Sequence, residues 1–244
     1  MGIIRRLGKI FLGFLFLICL FFLTTLYSLL NILSYGSLKE IASPLLLSKM
    51  NITQEQKEML FLYLNYSCKD KEFTMLEFSE NITIDCSKVK SLKIEEIEQF
   101  LIDSYLSNIY FKKYECNLLQ CLQEKNIMYF LSFSFYEKIS SYFIYSLIIS
   151  IIFGVLYLLI LENLQERLFS FSLIFLLIGI NYFLIGYGLN IFETKIPIYI
   201  FSILKEKFLF LLYIFIAGLV LLVFSIILKI KKKIEIFYFK KRKK

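Results

Sequence analysis

The chain has no histidine and no tryptophan, and only two prolines and nine glycines among its 244 residues. Without histidine it lacks the side chain that titrates near neutrality and the commonest metal ligand, as well as the most frequent general base. Every catalytic triad that depends on histidine is excluded. So few prolines and glycines argue against a loop-rich architecture. Charge is scarce as well: Asp, Glu, Lys and Arg make up 20%, below the roughly 25% of soluble domains. The apolar share is 58%, above the roughly 45–50% of such domains, and the mean hydropathy is +0.69. This balance excludes a soluble enzyme, a disordered tail and a small scaffold held by disulfides alone. No phosphate-cradling glycine loop, Gly-x-Ser-x-Gly elbow or zinc-ligand spacing is present. No metal and no cofactor is therefore expected.

What the chain does have is four long apolar runs without a charge, at residues 10–34, 141–161, 168–192 and 208–228. About 20 such residues cross the hydrocarbon core as a helix, because lipid offers no hydrogen-bond partner to an open backbone. The first run follows a basic start containing Arg5 and Arg6, as a secretory signal would. It is longer than the ~7–15 apolar residues of a signal and no small-x-small cleavage site follows, so it is read as a retained anchor. None of the four runs contains Asp, Glu, Lys or Arg, which ion, proton and substrate pathways ordinarily show. The polar Asn181, near the middle of the third run, is expected to hydrogen-bond another helix or a freed carbonyl.

Lysine and arginine set orientation. Residues 1–9 carry +3 and residues 229–244 carry +8, whereas residues 35–140 carry −3. Both termini are therefore expected in the cytoplasm, four crossings agree with that parity, and residues 35–140 are expected outside the plasma membrane. The turn at residues 162–167 is discordant, since a cytoplasmic turn should be basic and this one carries −1. The tail holds Lys229, Lys231, Lys232, Lys233, Lys240, Lys241, Arg242, Lys243 and Lys244 among isoleucine and aromatic residues. Such a segment is drawn to anionic lipid by about 1 kcal/mol per nearby basic residue, and its apolar members would sink into the headgroup layer. The partners expected are thus the lipid bilayer, anionic lipid at the tail, and a protein partner or further copies of the chain. Nucleic acid is not expected, because an orientation signal alone accounts for the basic tail.

Four of the five cysteines, Cys68, Cys86, Cys116 and Cys121, fall in the exterior segment. An even number on the oxidising side of a membrane suggests two disulfides. Cys68–Cys86 with Cys116–Cys121 is favoured, since each pair then closes a local loop. Asn51, Asn65 and Asn81 head Asn-x-Ser/Thr sequons and are candidate glycosylation sites. Thr53 and Gln56 fit a capping box, and the apolar run 59–66 after them is expected to be buried or to lie on the membrane surface. Residues 72–78 and 82–85 suit a β-hairpin tied down by Cys68–Cys86. Ser91 is expected to cap a second helix with Glu95 and Glu96 in its first turn. Ile94, Ile97, Leu101, Tyr105 and Ile109 share one face of that helix. Glu95, Glu96 and Glu98 are spread around it, which reads as a solvated face rather than a cation site. The aromatic run 127–136 before the second span, and residues 196–204 before the fourth, are expected at the outer membrane interface.

Together these features predict an all-α integral membrane protein with four transmembrane helices and a mainly helical, disulfide-stapled exterior domain between helices 1 and 2. Its parts are a basic cytoplasmic N-terminus (1–9), helix 1 (10–34), the exterior domain (35–140), helix 2 (141–161), a cytoplasmic turn (162–167), helix 3 (168–192), an exterior link (193–207), helix 4 (208–228) and a basic cytoplasmic tail (229–244). Four spans with a large first exterior loop is also the plan of claudin-like proteins, but their loop signature contains a tryptophan. Tetraspanins carry the large loop between spans three and four, with a Cys-Cys-Gly motif absent here. Quinone-linked disulfide-forming enzymes and vitamin K epoxide reductases use Cys-x-x-Cys, which this chain lacks. The function expected is non-catalytic: an exterior domain that binds or supports a partner in a structural, assembly or sensory role. The alternatives are a membrane thiol–disulfide oxidoreductase using Cys116 and Cys121, and a subunit of an oligomeric channel or transporter.

Overall fold

In a computed structural model the protein is described at residues 2–50, 52–77, 81–114, 120–121, 127–192 and 204–242. The elements in order are α1 (Gly2–Leu33), α2 (Tyr35–Met50), α3 (Gln54–Ser67), β1 (Phe73–Glu77), β2 (Asn81–Asp85) and α4 (Cys86–Val89). A 3-10 turn (Ile94–Glu96) leads into α5 (Ile97–Phe111), and another (Ile127–Leu131) into α6 (Phe133–Ile160). Then come α7 (Leu164–Gly179), α8 (Asn181–Phe192) and α9 (Leu209–Arg242). The chain divides into two compact units, Met1–Leu30 with Ile139–Lys244, and Asn31–Lys138; the second is called the inter-span domain below.

Among the described residues four helical stretches are long and apolar enough to cross a membrane: Arg6–Leu33, Phe133–Ile160, Leu164–Ile185 and Leu209–Glu235. The helices overrun the uncharged runs that specify them. α1 already includes Arg6 and Lys9, and α9 continues through the basic tail to Arg242. Lys and Arg are good helix formers, so nothing in the backbone asks a helix to stop where charge begins. The third run differs from expectation, being divided at Ile180 into α7 and α8. Asn181 sits at that division and its amide donates to the Ile178 carbonyl (2.8 Å) and the Leu177 carbonyl (3.3 Å). Of the two partners expected for it, the freed carbonyl is the one present.

Small residues set the helix contacts. A Cβ placed on Gly179 would lie 2.5 Å from the Phe215 backbone, and one on Gly218 would lie 2.9 Å from the Leu176 nitrogen. α7 and α9 therefore run antiparallel with backbones nearly touching, as small residues permit in membranes. Gly154 of α6 admits the Phe16 ring of α1, and Tyr157 lies against Gly13. Phe16, Tyr157, Leu161, Ile174, Ile178 and Leu211 form the buried centre of this unit.

The inter-span domain has its own core. Leu64, Ile82, Ile84, Val89, Ile97 and Leu101 pack around the Cys68–Cys86 disulfide, whose sulfurs are 2.04 Å apart. β1 and β2 pair antiparallel, Phe73 opposite Asp85 and Glu77 opposite Asn81. Their turn lies outside the described residues. Asn108 closes the far edge of β2: its side chain accepts from the Thr83 N–H (3.2 Å) and donates to the Thr83 carbonyl (2.8 Å). That satisfies one residue of an edge that would otherwise invite another strand. The Thr53 capping box is present, Thr53 N–H donating to Gln56 Oε1 at 2.9 Å. Ser91 does not cap α5. Its hydroxyl donates to the Lys88 carbonyl (3.2 Å), closing α4, and a 3-10 turn starts the next helix from Lys93. α5 packs on α2 as well as on α3 and β2, burying Ile102 and Tyr110 in addition to the expected stripe.

Candidate functional site

The inter-span domain presents two features that a core alone does not require. The first is the outer face of α3. Met59, Leu62, Tyr63 and Tyr66 recur at three- and four-residue steps and are 64%, 68%, 51% and 83% exposed. The opposite face holds Leu64, wholly buried, with Leu60 and Phe61 against the core. The expectation for run 59–66 thus splits by face: one half is buried and the other half is open. Burying an apolar side chain of this size fully contributes about 1.5–3 kcal/mol, so four left open on one face make a surface fit to close on something. The helix presenting them is fixed at both ends, by the Thr53 capping box and by Cys68, and Lys57 pairs with Glu98 of α5 at 3.2 Å.

The second feature is an apolar cavity of about 560 Å³ between α2, α5 and the 127–131 turn. Leu38, Ala42 and Leu46 of α2 face Leu106 and Ile109 of α5, with Leu131 alongside. Among the described residues Lys39 is the charged side chain on its wall, and its ammonium donates to Asp103 Oδ2 at 2.6 Å. Gln99 donates to the other oxygen of that carboxylate (2.9 Å). The Tyr35 and Tyr110 rings meet at 5.3 Å. Burial, followed by the neighbouring Tyr136, pushes the Tyr110 hydroxyl above its ordinary range, so it stays protonated there.

The remaining expected sites sort as follows. Cys68 and Cys86 are paired. Cys121 is wholly buried and disulfide-bonded, while Cys116 lies outside the described residues. Asn51 also lies outside them, as does the side chain of Asn81. Asn65 is inside α3, where its amide nitrogen, the atom a glycan would take, donates to the Phe61 carbonyl (3.0 Å). Glu98 is not solvated as expected, since its pairing with Lys57 leaves it only 22% exposed. The run 127–136 packs inward at Tyr129, whose ring meets Phe130 and Phe135 at 5.6 Å each and whose hydroxyl accepts from Lys138 (2.9 Å). Met128, Leu131 and Phe133 of the same run remain exposed. Residues 196–203 lie outside the described residues. Lys229, Lys231, Lys232 and Lys233 are exposed along α9. The side chains of Lys240, Lys241 and Arg242, and the whole of Lys243 and Lys244, are outside the description. Among the described residues no group of three metal-ligating side chains gathers.

One contact bears on the discordant turn. Lys9 reaches Glu166 at 2.8 Å and Glu162 at 3.6 Å. Ser225 of α9 donates to the Gln165 carbonyl (3.3 Å) beside them. The start of α1, the α6–α7 turn and the stretch of α9 leading to its lysines therefore share one end of the helical unit. The turn's two acids are matched by a basic residue from another element, which charge counted along the sequence cannot reveal.

Compared with known protein families, with curated proteins and with solved structures, the chain matches none.

Proposed function

We propose that this chain is a non-catalytic multi-pass membrane protein whose inter-span domain, held on the extracytoplasmic side of the plasma membrane, binds or supports a protein partner. The observation that carries the reading is the open face of α3: four large apolar side chains at helical spacing on a helix fixed by a cap, a disulfide and an ion pair. Amphipathic helices dock into partner grooves through this spacing. The orientation rests on charge: Arg6, Lys9, Arg167 and the lysines of α9 belong to the end that Lys9 and Ser225 define, and such an end faces the cytoplasm. α9 continues unbroken past its apolar run, so Lys229, Lys231, Lys232 and Lys233 follow directly on that run, where anionic lipid would gather. The thiol–disulfide and channel alternatives have less to stand on, because Cys121 is wholly buried and the spans bring no acid or base to their middle.

The test is a photo-crosslinking residue at Leu62 of the full-length protein in its native membrane. A discrete protein adduct, lost when Tyr66→Lys is added, is the expected result. Adducts to lipid alone would show that α3 lies on the bilayer and would overturn the partner reading.

A further inference from the structure

We propose that the cavity between α2 and α5 takes the acyl chain of a membrane phospholipid. Its wall is built from the segment that follows α1 and the segment that precedes α6 in the chain. Tyr35 stands two residues beyond the end of α1, and Leu131 two residues before the start of α6. The uncharged run ending with α1 is about 36 Å long as a helix at ~1.5 Å per residue, against a hydrocarbon core of about 30 Å. The chain therefore reaches the headgroup layer before Tyr35, and the cavity begins within a turn of that layer along the sequence.

The chemistry of the wall selects a hydrocarbon. Leu38, Ala42, Leu106 and Ile109 offer methyl and methylene surface, and the volume of about 560 Å³ lies within the ~300–1,000 Å³ of ordinary ligand pockets. The few polar groups on the wall are partly engaged. The Tyr35 hydroxyl donates to the Asp103 carbonyl (3.4 Å), and one Lys39 donor is held by the Asp103 carboxylate. An ammonium has three donors, so Lys39 keeps capacity for a lipid phosphate, while tyrosines at a membrane boundary suit the same headgroup layer.

The test uses full-length protein in phospholipid nanodiscs doped with a phospholipid carrying a diazirine at the end of one acyl chain, with adducts mapped by mass spectrometry. Adducts on residues 38–46 and 105–110, at levels comparable with those on the spans and well above those on α3, are expected. Ala42→Phe should lower them roughly tenfold, the change that about 1.4 kcal/mol of lost affinity gives. Adducts on the spans should persist in that variant and the Cys68–Cys86 bond should remain. Lys39→Gln should retain acyl adducts but weaken the preference for an anionic over a zwitterionic probe. Labelling confined to the spans, or equal on α3 and on the cavity wall, or unmoved by Ala42→Phe in a protein that keeps its disulfide, would overturn the proposal. None of these outcomes depends on whether a protein docks on α3.

Discussion

At the scale of single residues, short polar side chains settle where helices begin and end. Asp85 caps α4, its Oδ1 accepting from the Ser87 hydroxyl (2.6 Å) and the Ser87 N–H (2.9 Å). These bonds, with the hydroxyl first, hold the Asp85 carboxyl below its ordinary range. Its contribution is therefore complete above the ordinary carboxylate value and is lost as pH falls through the lowered folded value. Asp85→Ala should lower the thermal midpoint at neutral pH, and the gap from the parent should close in acid. A gap constant with pH would show that the charge has no part in it. Asn181 does the same kind of work in lipid, covering carbonyls that the division between α7 and α8 sets free. Its need for a partner was legible from its place in an apolar run. That the partner is the end of the preceding helix was not, because nothing in the sequence marks Ile180 as the point of division.

At the scale of elements, contact distance is set by glycine. Gly179 faces the Phe215 backbone across α7 and α9, whereas Gly188 of α8 has nothing within 4 Å of where a Cβ would be. Gly179→Ala should destabilise the protein by about 1–3 kcal/mol, as overpacking does. Gly188→Ala should be neutral or gain up to about 1 kcal/mol, since alanine favours helix over glycine. Detergent-phase thermal unfolding of the two variants checks this, and equal losses would contradict the packing. The two glycines are indistinguishable by sequence: neither belongs to a Gly-x-x-x-Gly pair, and only the partner helix decides which one matters. The same limit applies to α3. Its stripe of Met59, Leu62, Tyr63 and Tyr66 is readable as one helical face, but which face meets the core depends on Leu64 and on the disulfide at Cys68. The cavity was least legible, because its wall includes α2, which contains Pro44, a residue that argues against a helix interior. Packing on α5 outweighs that local preference.

At the scale of the whole molecule, long uncharged runs and the placement of lysine specify the architecture. The four long apolar helices were legible because lipid and protein core alike ask such an uncharged run to close its own backbone hydrogen bonds. The hairpin was legible because Cys68 and Cys86 bracket it. Their ends were not, since helices continue into charged sequence as α9 does. Which side each segment faces is the claim on which the partner reading depends. The most direct measurement is labelling of single introduced cysteines, in intact cells, with a membrane-impermeant maleimide. Glu58 and Lys71 of the inter-span domain and Lys232 of α9 are exposed positions suited to it. The expected result is that Glu58→Cys and Lys71→Cys react in intact cells, while Lys232→Cys reacts only after the membrane is opened. Reaction of Lys232→Cys from outside, with Glu58→Cys protected until permeabilisation, would contradict the orientation and the function built on it.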